Sequence, residues 1–140
     1  MVTSVYRCEA QSKKKIPLYL SRVISGFPSP ADDYIEKKLD LNEHLIDHPS
    51  STFFVKVKGD SMINAGIFSG DILIVDRSKE ATNNKIVVAV VNSEFTVKRL
   101  RKNSGKITLI PENPKYSPIE ITDQVDFEVW GVVMHVIHSV

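Results

Sequence analysis

The chain has 140 residues and a formal net charge of +1 at pH 7, which suits one domain with a sizeable core. Such a balanced charge does not favour a broad nucleic-acid-binding surface, which usually carries a basic excess. The single cysteine, Cys8, excludes an internal disulfide and fits a reducing compartment. No apolar run reaches signal-peptide length or the roughly 20 residues of a membrane span, so we expect a soluble, cytoplasmic protein.

The first 28 residues differ in character from the rest. They are polar and weakly periodic, and they end in "SGFPSP", where a glycine and two prolines argue against regular structure. We interpret residues 1–28 as a mobile N-terminal arm and residues 29–140 as the folded domain. A passive tail is the simplest alternative for such an arm.

A short helix is predicted next. Ser29 followed by Pro30 suits the N-cap and first turn of a helix. The stretch "ADDYIEKKLDLNEHLI" supplies acidic residues early and spaced apolar residues after them. This pattern predicts one short helix or a few helical turns.

From residue 52 the pattern becomes that of β strands. "TFFVKVK" alternates, with Phe53, Val55 and Val57 on one face. Further apolar or alternating runs follow, separated by turn-forming residues: "ILIVD" (72–76), "KIVVAVV" (85–91), "EFTVKRL" (94–100), "KITLI" (106–110) and "VWGVVMHVIH" (129–138). About six short strands with local connections predict a compact, mostly antiparallel β fold with little helix.

A serine follows the first of these strands, in "GDSM". Ser61 is either an ordinary turn residue or a nucleophile that needs a nearby base. Lys98 shares a strand face with Thr96 and Leu100, beside an apolar run at 86–91. Burial there would lower the pKa of Lys98, and a base near pH 7 needs a fall of about 3 from ~10.4, roughly 4 kcal/mol. Most lysines on alternating strands point to water, so the strand pattern alone leaves this open.

The four histidines offer no convincing partner for the serine. His44 and His48 are four residues apart, a spacing that a metal site on a helix would use, but the ligand set is incomplete and a solvated helix face fits better. His135 and His138 differ in strand parity, so we expect them to face opposite sides.

A longer motif surrounds the serine and identifies a family resemblance. It reads GDSM-x3-G-x3-GD-[IL]-[IL]-x-V-D, and its members are Gly59, Asp60, Ser61, Met62, Gly66, Gly70, Asp71, Ile72, Leu73, Val75 and Asp76. Together with "EFTVKRL", "LIPENPKYSPI", "VWGVVMHVI" and "GFPSPADDYIEKKLDLNEHLIDHPSST", it resembles the LexA/UmuD family of Ser–Lys self-cleaving proteins of the bacterial DNA-damage response. The resemblance spans nearly all of the chain after about residue 18.

The resemblance implies a chemistry. Ser61 would be the nucleophile, Lys98 its general base and the bond between Ser25 and Gly26 the cleavage site. Close relatives have cysteine or alanine where this chain has Ser25, which is also small. The backbone N–H of Ser61 is the first oxyanion donor that we would assign. Fragment 1–25 would be released, and we expect 26–140 to stay folded because the β patterning lies beyond the cut.

Gly59 and several other motif residues have structural interpretations. Gly66 and Gly70 suit turns with positive φ, and Asp71 suits the closing of a turn. Met62 either packs near the cleavage segment or belongs to the core. Asp60 would point away from the serine on an extended chain, so we assign it no catalytic role.

The resemblance also implies a biological role. The 25 residues before the cut are too few for a helix-turn-helix domain, so we expect neither a repressor nor sequence-specific DNA binding. The implied role is self-cleavage stimulated by the RecA nucleoprotein filament, after which the homodimer serves a UmuC-like Y-family DNA polymerase in error-prone lesion bypass. No cofactor or metal is implied. The alternative is a non-catalytic module that only docks on the polymerase or on RecA.

Overall fold

The computed structural model describes residues 2–8, 15–19 and 35–140. These residues form ten strands and one short α-helix: β1 (Val2–Arg7), β2 (Lys15–Tyr19), β3 (Ile35–Asp40), α1 (Leu41–Leu45), β4 (Thr52–Val57), β5 (Ile72–Asp76), β6 (Ile86–Val91), β7 (Glu94–Asn103), β8 (Lys106–Ile110), β9 (Ile119–Ile121) and β10 (Phe127–Ile137). Single 3-10 turns occupy Pro49–Ser51 and Ile63–Ala65. No helix in this described part of the chain is long and apolar enough to cross a membrane.

The chain divides into two compact units, which are described separately. Residues 1–8 and 48–140 form the larger unit, an eight-stranded antiparallel sheet in the order β1-β4-β5-β10-β6-β7-β8-β9. Residues 9–47 form the smaller unit, in which β2 and β3 pair as an antiparallel ladder and α1 follows. The predicted mostly antiparallel β fold with little helix is therefore confirmed.

The central strand of the large sheet is β10. Its first half pairs with β6 and its second half with β5, and Val132 takes part in both ladders. One cluster of buried side chains consists of Val55, Val57, Met62, Ile67, Leu73, Val75, Val88 and Val97. The other consists of Val87, Ala89, Leu100, Leu109 and Val132. Alternation along β6 sends Val88 to the first cluster and its two neighbours to the second, as a strand buried on both faces requires.

The helix prediction was only partly correct. The structure is helical at Leu41–Leu45, where the Asp40 carboxylate caps the helix by accepting from the Asn42 N–H at 3.0 Å. Residues 35–40 form a strand instead. Apolar residues at 35 and 39 fit one helix face, but a spacing of four also keeps them on one strand face. Pairing with β2 makes residues 35–40 a strand and not a helix. Ser29 and Pro30 lie outside the described residues.

Two strands lie within the segment interpreted as an arm. β1 pairs with β4, from Val2 opposite Val57 to Arg7 opposite Phe53, and β2 pairs with β3. The expectation that all β structure follows the cut is therefore wrong. Both strands are short, and strand pairing of that kind depends on a partner distant in sequence. The boundary at residue 28 lies outside the described residues and stays a prediction.

Candidate active site

Ser61 lies on a corner just after β4. Gly59 has a φ of 101°, a left-handed conformation that glycine adopts without strain, and its N–H donates to Ser69 Oγ at 3.2 Å. Met62 is 3% exposed and anchors the corner in the first core cluster. Ser61 is thus placed between a turning glycine and a buried side chain, and it lines a cleft.

The side chain of Lys98 on β7 meets this serine. Its Nζ donates to Ser61 Oγ at 3.2 Å, to Thr96 Oγ1 at 2.8 Å and to the carbonyl oxygen of Val97 at 3.1 Å. Lys98 and Thr96 therefore lie on one strand face, as the alternation predicted. The structure brings together two residues that are 37 positions apart in the chain.

The surroundings of Lys98 disfavour its charged form. The residue is only 8% exposed, its three hydrogen-bond acceptors are neutral oxygens, and it has no ion pair with any carboxylate of the described residues. Burial accordingly lowers the pKa of Lys98 from its usual value of 10.5. A neutral amine at hydrogen-bonding distance from a serine hydroxyl can accept its proton.

A loop after β8 supports the serine corner. Asn113, which is 5% exposed, donates from Nδ2 to the carbonyl oxygen of Asp60 at 2.8 Å, and the Tyr116 hydroxyl donates to the Asp60 carboxylate. The Glu112 N–H also approaches the Met62 sulfur at 3.4 Å. The Asp60 carboxylate thus contacts this loop rather than the serine–lysine pair, and it raises the pKa of Tyr116 through their hydrogen bond.

Sequence reasoning missed Asn113 and Tyr116 as supports of the site. It treated "PENPKYSP" as a turn and as part of the family resemblance, and nothing in its local pattern places it beside Asp60. The available signal was an asparagine and a tyrosine among three prolines, an arrangement that a simple surface turn does not require.

Ser61 and Lys98 line a cleft with a volume of about 610 Å³. Its apolar lining comes from Val91, Phe95 and Ile119. Ser61, Thr96 and Lys98 belong to its polar lining, which also includes Lys58, Asp60, Asn92, Glu94 and Tyr116. A concave site with apolar walls and a few polar groups is typical of a ligand-binding cleft, in which apolar walls bind side chains and polar groups fix the orientation.

The remaining motif residues hold the turns around the corner. Gly66 and Gly70 have φ values of 80° and 92°, as the turns predicted there require. Asp71, which is 3% exposed, accepts from the Phe68 N–H at 2.8 Å and contacts His138 Nδ1 at 2.6 Å. The first core cluster contains Met62. The predicted cleavage bond between residues 25 and 26 lies outside the described residues.

Among the hydrogen bonds of the larger unit, His48 and His138 contact Asp76 and Asp71, and neither contacts Ser61 or Lys98. His44 is in α1, whereas His48 lies beyond the helix and contacts the Asp76 carboxylate at 2.7 Å. The interpretation of both as one helix face is therefore wrong for His48. Within 2–8, 15–19 and 35–140, no three histidine, cysteine or acidic side chains are grouped so as to hold a metal ion.

Comparisons with known proteins identify the family of the chain. A sequence model of the family described as Peptidase S24-like matches residues 17–134. Protein MucA of Salmonella typhimurium is 46% identical over 86% of this chain and 82% of its own length. Protein SamA of the same organism is 43% identical over 88% of this chain and 85% of its own. Protein ImpA of Escherichia coli is 42% identical over 87% and 83%.

The fold and the serine–lysine pair describe a self-cleaving serine peptidase. The chain belongs to the peptidase S24-like family, and within it to the UmuD-like proteins of SOS mutagenesis that MucA, ImpA and SamA represent.

Proposed function

We propose that Ser61 and Lys98 cut the chain's own peptide bond between Ser25 and Gly26. The observation that carries this proposal is the 3.2 Å contact between Lys98 Nζ and Ser61 Oγ, made by a lysine whose burial lowers its pKa. Membership of the peptidase S24-like family supports the same roles. The small side chain of Ser25 and the glycine at position 26 are residue types that suit entry into a narrow cleft.

The reaction follows the acyl-transfer pattern. Neutral Lys98 accepts the hydroxyl proton of Ser61 while Oγ bonds to the carbonyl carbon of Ser25. The backbone N–H of Ser61 donates to the oxyanion of the tetrahedral intermediate. The intermediate collapses, the C–N bond to Gly26 breaks, and protonated Lys98 gives its proton to the leaving amine. Water, deprotonated by Lys98, then hydrolyses the ester between Ser25 and Ser61.

The relatives support a further role in the cell. We infer that the RecA nucleoprotein filament stimulates self-cleavage, and that the shortened protein is a homodimeric accessory subunit of a UmuC-like Y-family DNA polymerase in the cytoplasm. UmuD-like relatives of closely matching length carry this inference. The competing function is a non-catalytic module that binds the same partners and never cuts.

Incubation of the purified full-length protein at alkaline pH tests the chemistry. Only neutral Lys98 is active and burial lowers its pKa, so the cleavage rate should rise with pH and reach half its maximum below 10.5. Ser61→Ala and Lys98→Ala should abolish cleavage. Lys102→Ala is the matched control, because Lys102 is an exposed lysine on the same strand and should leave the rate unchanged.

Mass spectrometry of the products identifies the bond. Fragments ending at Ser25 and beginning at Gly26 agree with the proposal, whereas another pair of ends refutes the assigned bond. A wild-type chain that stays intact both at alkaline pH and with activated RecA would favour the non-catalytic function.

A further inference from the structure

β1 is the edge strand of the large sheet and covers one side of β4. The N–H of Cys8, just past β1, donates to the Thr52 carbonyl oxygen at 3.2 Å, and Thr3 Oγ1 donates to the Lys56 carbonyl oxygen at 3.3 Å. On its other side β4 pairs with β5. In the described sheet β1 is therefore the element that makes β4 an interior strand.

β4 is a strand that pairs readily when its edge is open. Its sequence, "TFFVKV", is rich in aromatic and β-branched residues, and Val55 and Val57 are 0% and 5% exposed. An apolar strand with unpaired backbone groups is a template for another extended chain. β1 fills that position in the uncut protein.

The proposed cut separates β1 from the rest of the protein, because residues 2–7 precede Ser25. While the chain is intact, the tether keeps β1 at high effective concentration beside β4. After the cut, only its own contacts hold it. Those contacts are few, since four of its six side chains are exposed, including Val5 and Tyr6 at 40% and 57%.

We propose that self-cleavage releases β1 and thereby opens the edge of β4 as a docking site for an extended segment of a partner protein. This proposal rests on the proposed cleavage between residues 25 and 26. The occupant adds an antiparallel strand, as β1 does, with backbone hydrogen bonds as the main source of affinity.

The contacts of β1 describe the segment that fits. Val2 stands opposite Val57 and packs against the first core cluster. Arg7 stands opposite Phe53, with its Cζ atom 6.0 Å from the ring centroid, in range for a cation–π contact. The matching partner segment has an apolar residue near its start and a cationic residue about five positions later.

Residue-resolved hydrogen exchange distinguishes the two edges of β4. Backbone groups of successive residues in an antiparallel strand point to opposite neighbours. The Lys56 carbonyl faces β1, whereas the Val57 N–H donates to Asp71 on the β5 side at 3.1 Å. By this alternation the amides of Phe54 and Lys56 face β1, and those of Phe53 and Val55 face β5.

Two proline variants, made in the Ser61→Ala chain so that no cleavage occurs, test the edge of β4. One is expected to detach β1 from β4, and the other is expected to leave β1 in place. The N–H of Tyr6 points to β4, because Tyr6 pairs with Phe54, so Tyr6→Pro removes a ladder hydrogen bond. The N–H of Val5 points outward, and Val5→Pro is the matched control. Tyr6→Pro should speed exchange at Phe54 and Lys56 about tenfold or more and spare the two amides that face β5.

A labelled peptide with the sequence of residues 2–8, carrying serine in place of Cys8, probes the open edge by fluorescence anisotropy. It should bind the Tyr6→Pro chain and the self-cleaved wild-type protein at least about tenfold more tightly than the uncut Ser61→Ala chain. A peptide of the same composition in scrambled order is the control. Size-exclusion chromatography of the cleaved protein should separate fragment 1–25 from the body.

Three results would overturn the proposal: protection of Phe54 and Lys56 that survives Tyr6→Pro, co-elution of the fragment with the body, or equal peptide binding to the uncut chain. If Tyr6→Pro unfolds the protein, the self-cleaved wild-type chain decides the question. A wild-type chain that does not cut after residue 25, combined with a Tyr6→Pro chain that binds the peptide, refutes release by cleavage and supports the edge of β4 as a docking site.

Discussion

Lys98 contributes to the site through its position as much as through its amine. A lysine on an alternating strand ordinarily reaches water, but Lys98 is 8% exposed and donates to three neutral oxygens. Thr96, two residues earlier, holds the Nζ atom at 2.8 Å. Since water is largely excluded, the proton is held less strongly than in an exposed lysine. Burial of Lys98 on this strand thus favours the neutral amine that the proposed general base requires.

We expect Asn113 to position the proposed nucleophile, Ser61, through the backbone of Asp60. Asn113→Ala removes the 2.8 Å hydrogen bond to the Asp60 carbonyl and should slow self-cleavage about tenfold to a hundredfold, because the adjacent Ser61 shifts. The pH at half-maximal rate should not change, since the side chain does not touch Lys98. Rates across the pH range measure both quantities.

The control for this variant is Asn103→Ala, at an exposed position beside the β7–β8 turn. It should leave the rate unchanged. If Asn113→Ala shifts the pH at half-maximal rate of self-cleavage, or cleaves itself at the wild-type rate at every pH, Asn113 does not have a positioning role.

At the scale of elements, Asp76 ties the 3-10 turn at Pro49–Ser51 to the end of β5. Its carboxylate is 2% exposed and accepts from the hydroxyls of Ser51 and Ser78 at 3.0 and 2.6 Å. Burial alone would raise its pKa, but hydrogen bonds from Ser78, His48 and Ser51 outweigh burial and lower the pKa to about 2. The ionised carboxylate thus stabilises the fold.

The pH dependence of the free energy of unfolding tests whether the hydrogen bonds of the Asp76 carboxylate stabilise the fold. A carboxyl whose pKa falls from 3.8 to about 2 on folding contributes about 2 kcal/mol above pH 4, and the contribution is lost as pH falls through 2. Asp76→Asn should therefore lower the free energy of unfolding at neutral pH, and the difference from wild type should shrink below pH 4. Urea unfolding measures it, with exposed Asp123→Asn as control; a difference independent of pH would contradict the tie.

Gly131 allows β10 to lie close to the end of β5. A Cβ atom at this position would lie 2.6 Å from Val75 Cγ1 and 3.4 Å from Arg77 Cγ, and Val75 is 0% exposed. Gly131→Ala should lower the free energy of unfolding by about 1–3 kcal/mol, because a packed core has no room for the methyl group.

A double-mutant cycle with Val75→Ala checks the cause. Since Val75→Ala removes the clashing methyl group, the loss in the double variant should be smaller than the sum of the single losses. Strict additivity in thermal or urea unfolding would show that the contact with Val75 is not the reason.

At the scale of the whole molecule, the second half of β10 suits the proposed homodimer. β10 pairs with β6 only as far as Val132, whereas its pairing with β5 continues to Ile137. In the described sheet, one backbone edge after Val132 therefore has no partner strand. Val136 and Ile137 are 37% and 47% exposed there, and Phe68, 42% exposed, contacts the ring of His138. Exposed apolar residues beside an open edge favour association.

Ile137→Asp should shift the protein from dimer to monomer in sedimentation equilibrium, because a buried unpaired carboxylate opposes association. Leu41→Asp is the matched control, since Leu41 is equally apolar and 44% exposed on α1. A dimer that survives Ile137→Asp would place the interface elsewhere.

Much of the fold was predictable because its signals are local. Alternation in β4 and the apolar runs of β5 and β6 depend only on neighbouring residues, so strands were predicted at each of them. The strand at Ile35–Asp40 was not, since a spacing of four between apolar residues fits both periods. β1 was also missed, because a short and largely exposed strand is defined by its partner.

The sequence by itself determined the strand pattern, the corner at Ser61 and the residue types that the family's chemistry uses. The tertiary structure decided that Lys98 is buried and reaches Ser61, that Asn113 and Tyr116 hold Asp60, and that β1 covers β4. The physical reason is the distance along the chain over which each effect acts. Backbone and side-chain preferences act between neighbours in the chain, whereas desolvation of an amine and closure of a sheet edge depend on residues that only folding brings together.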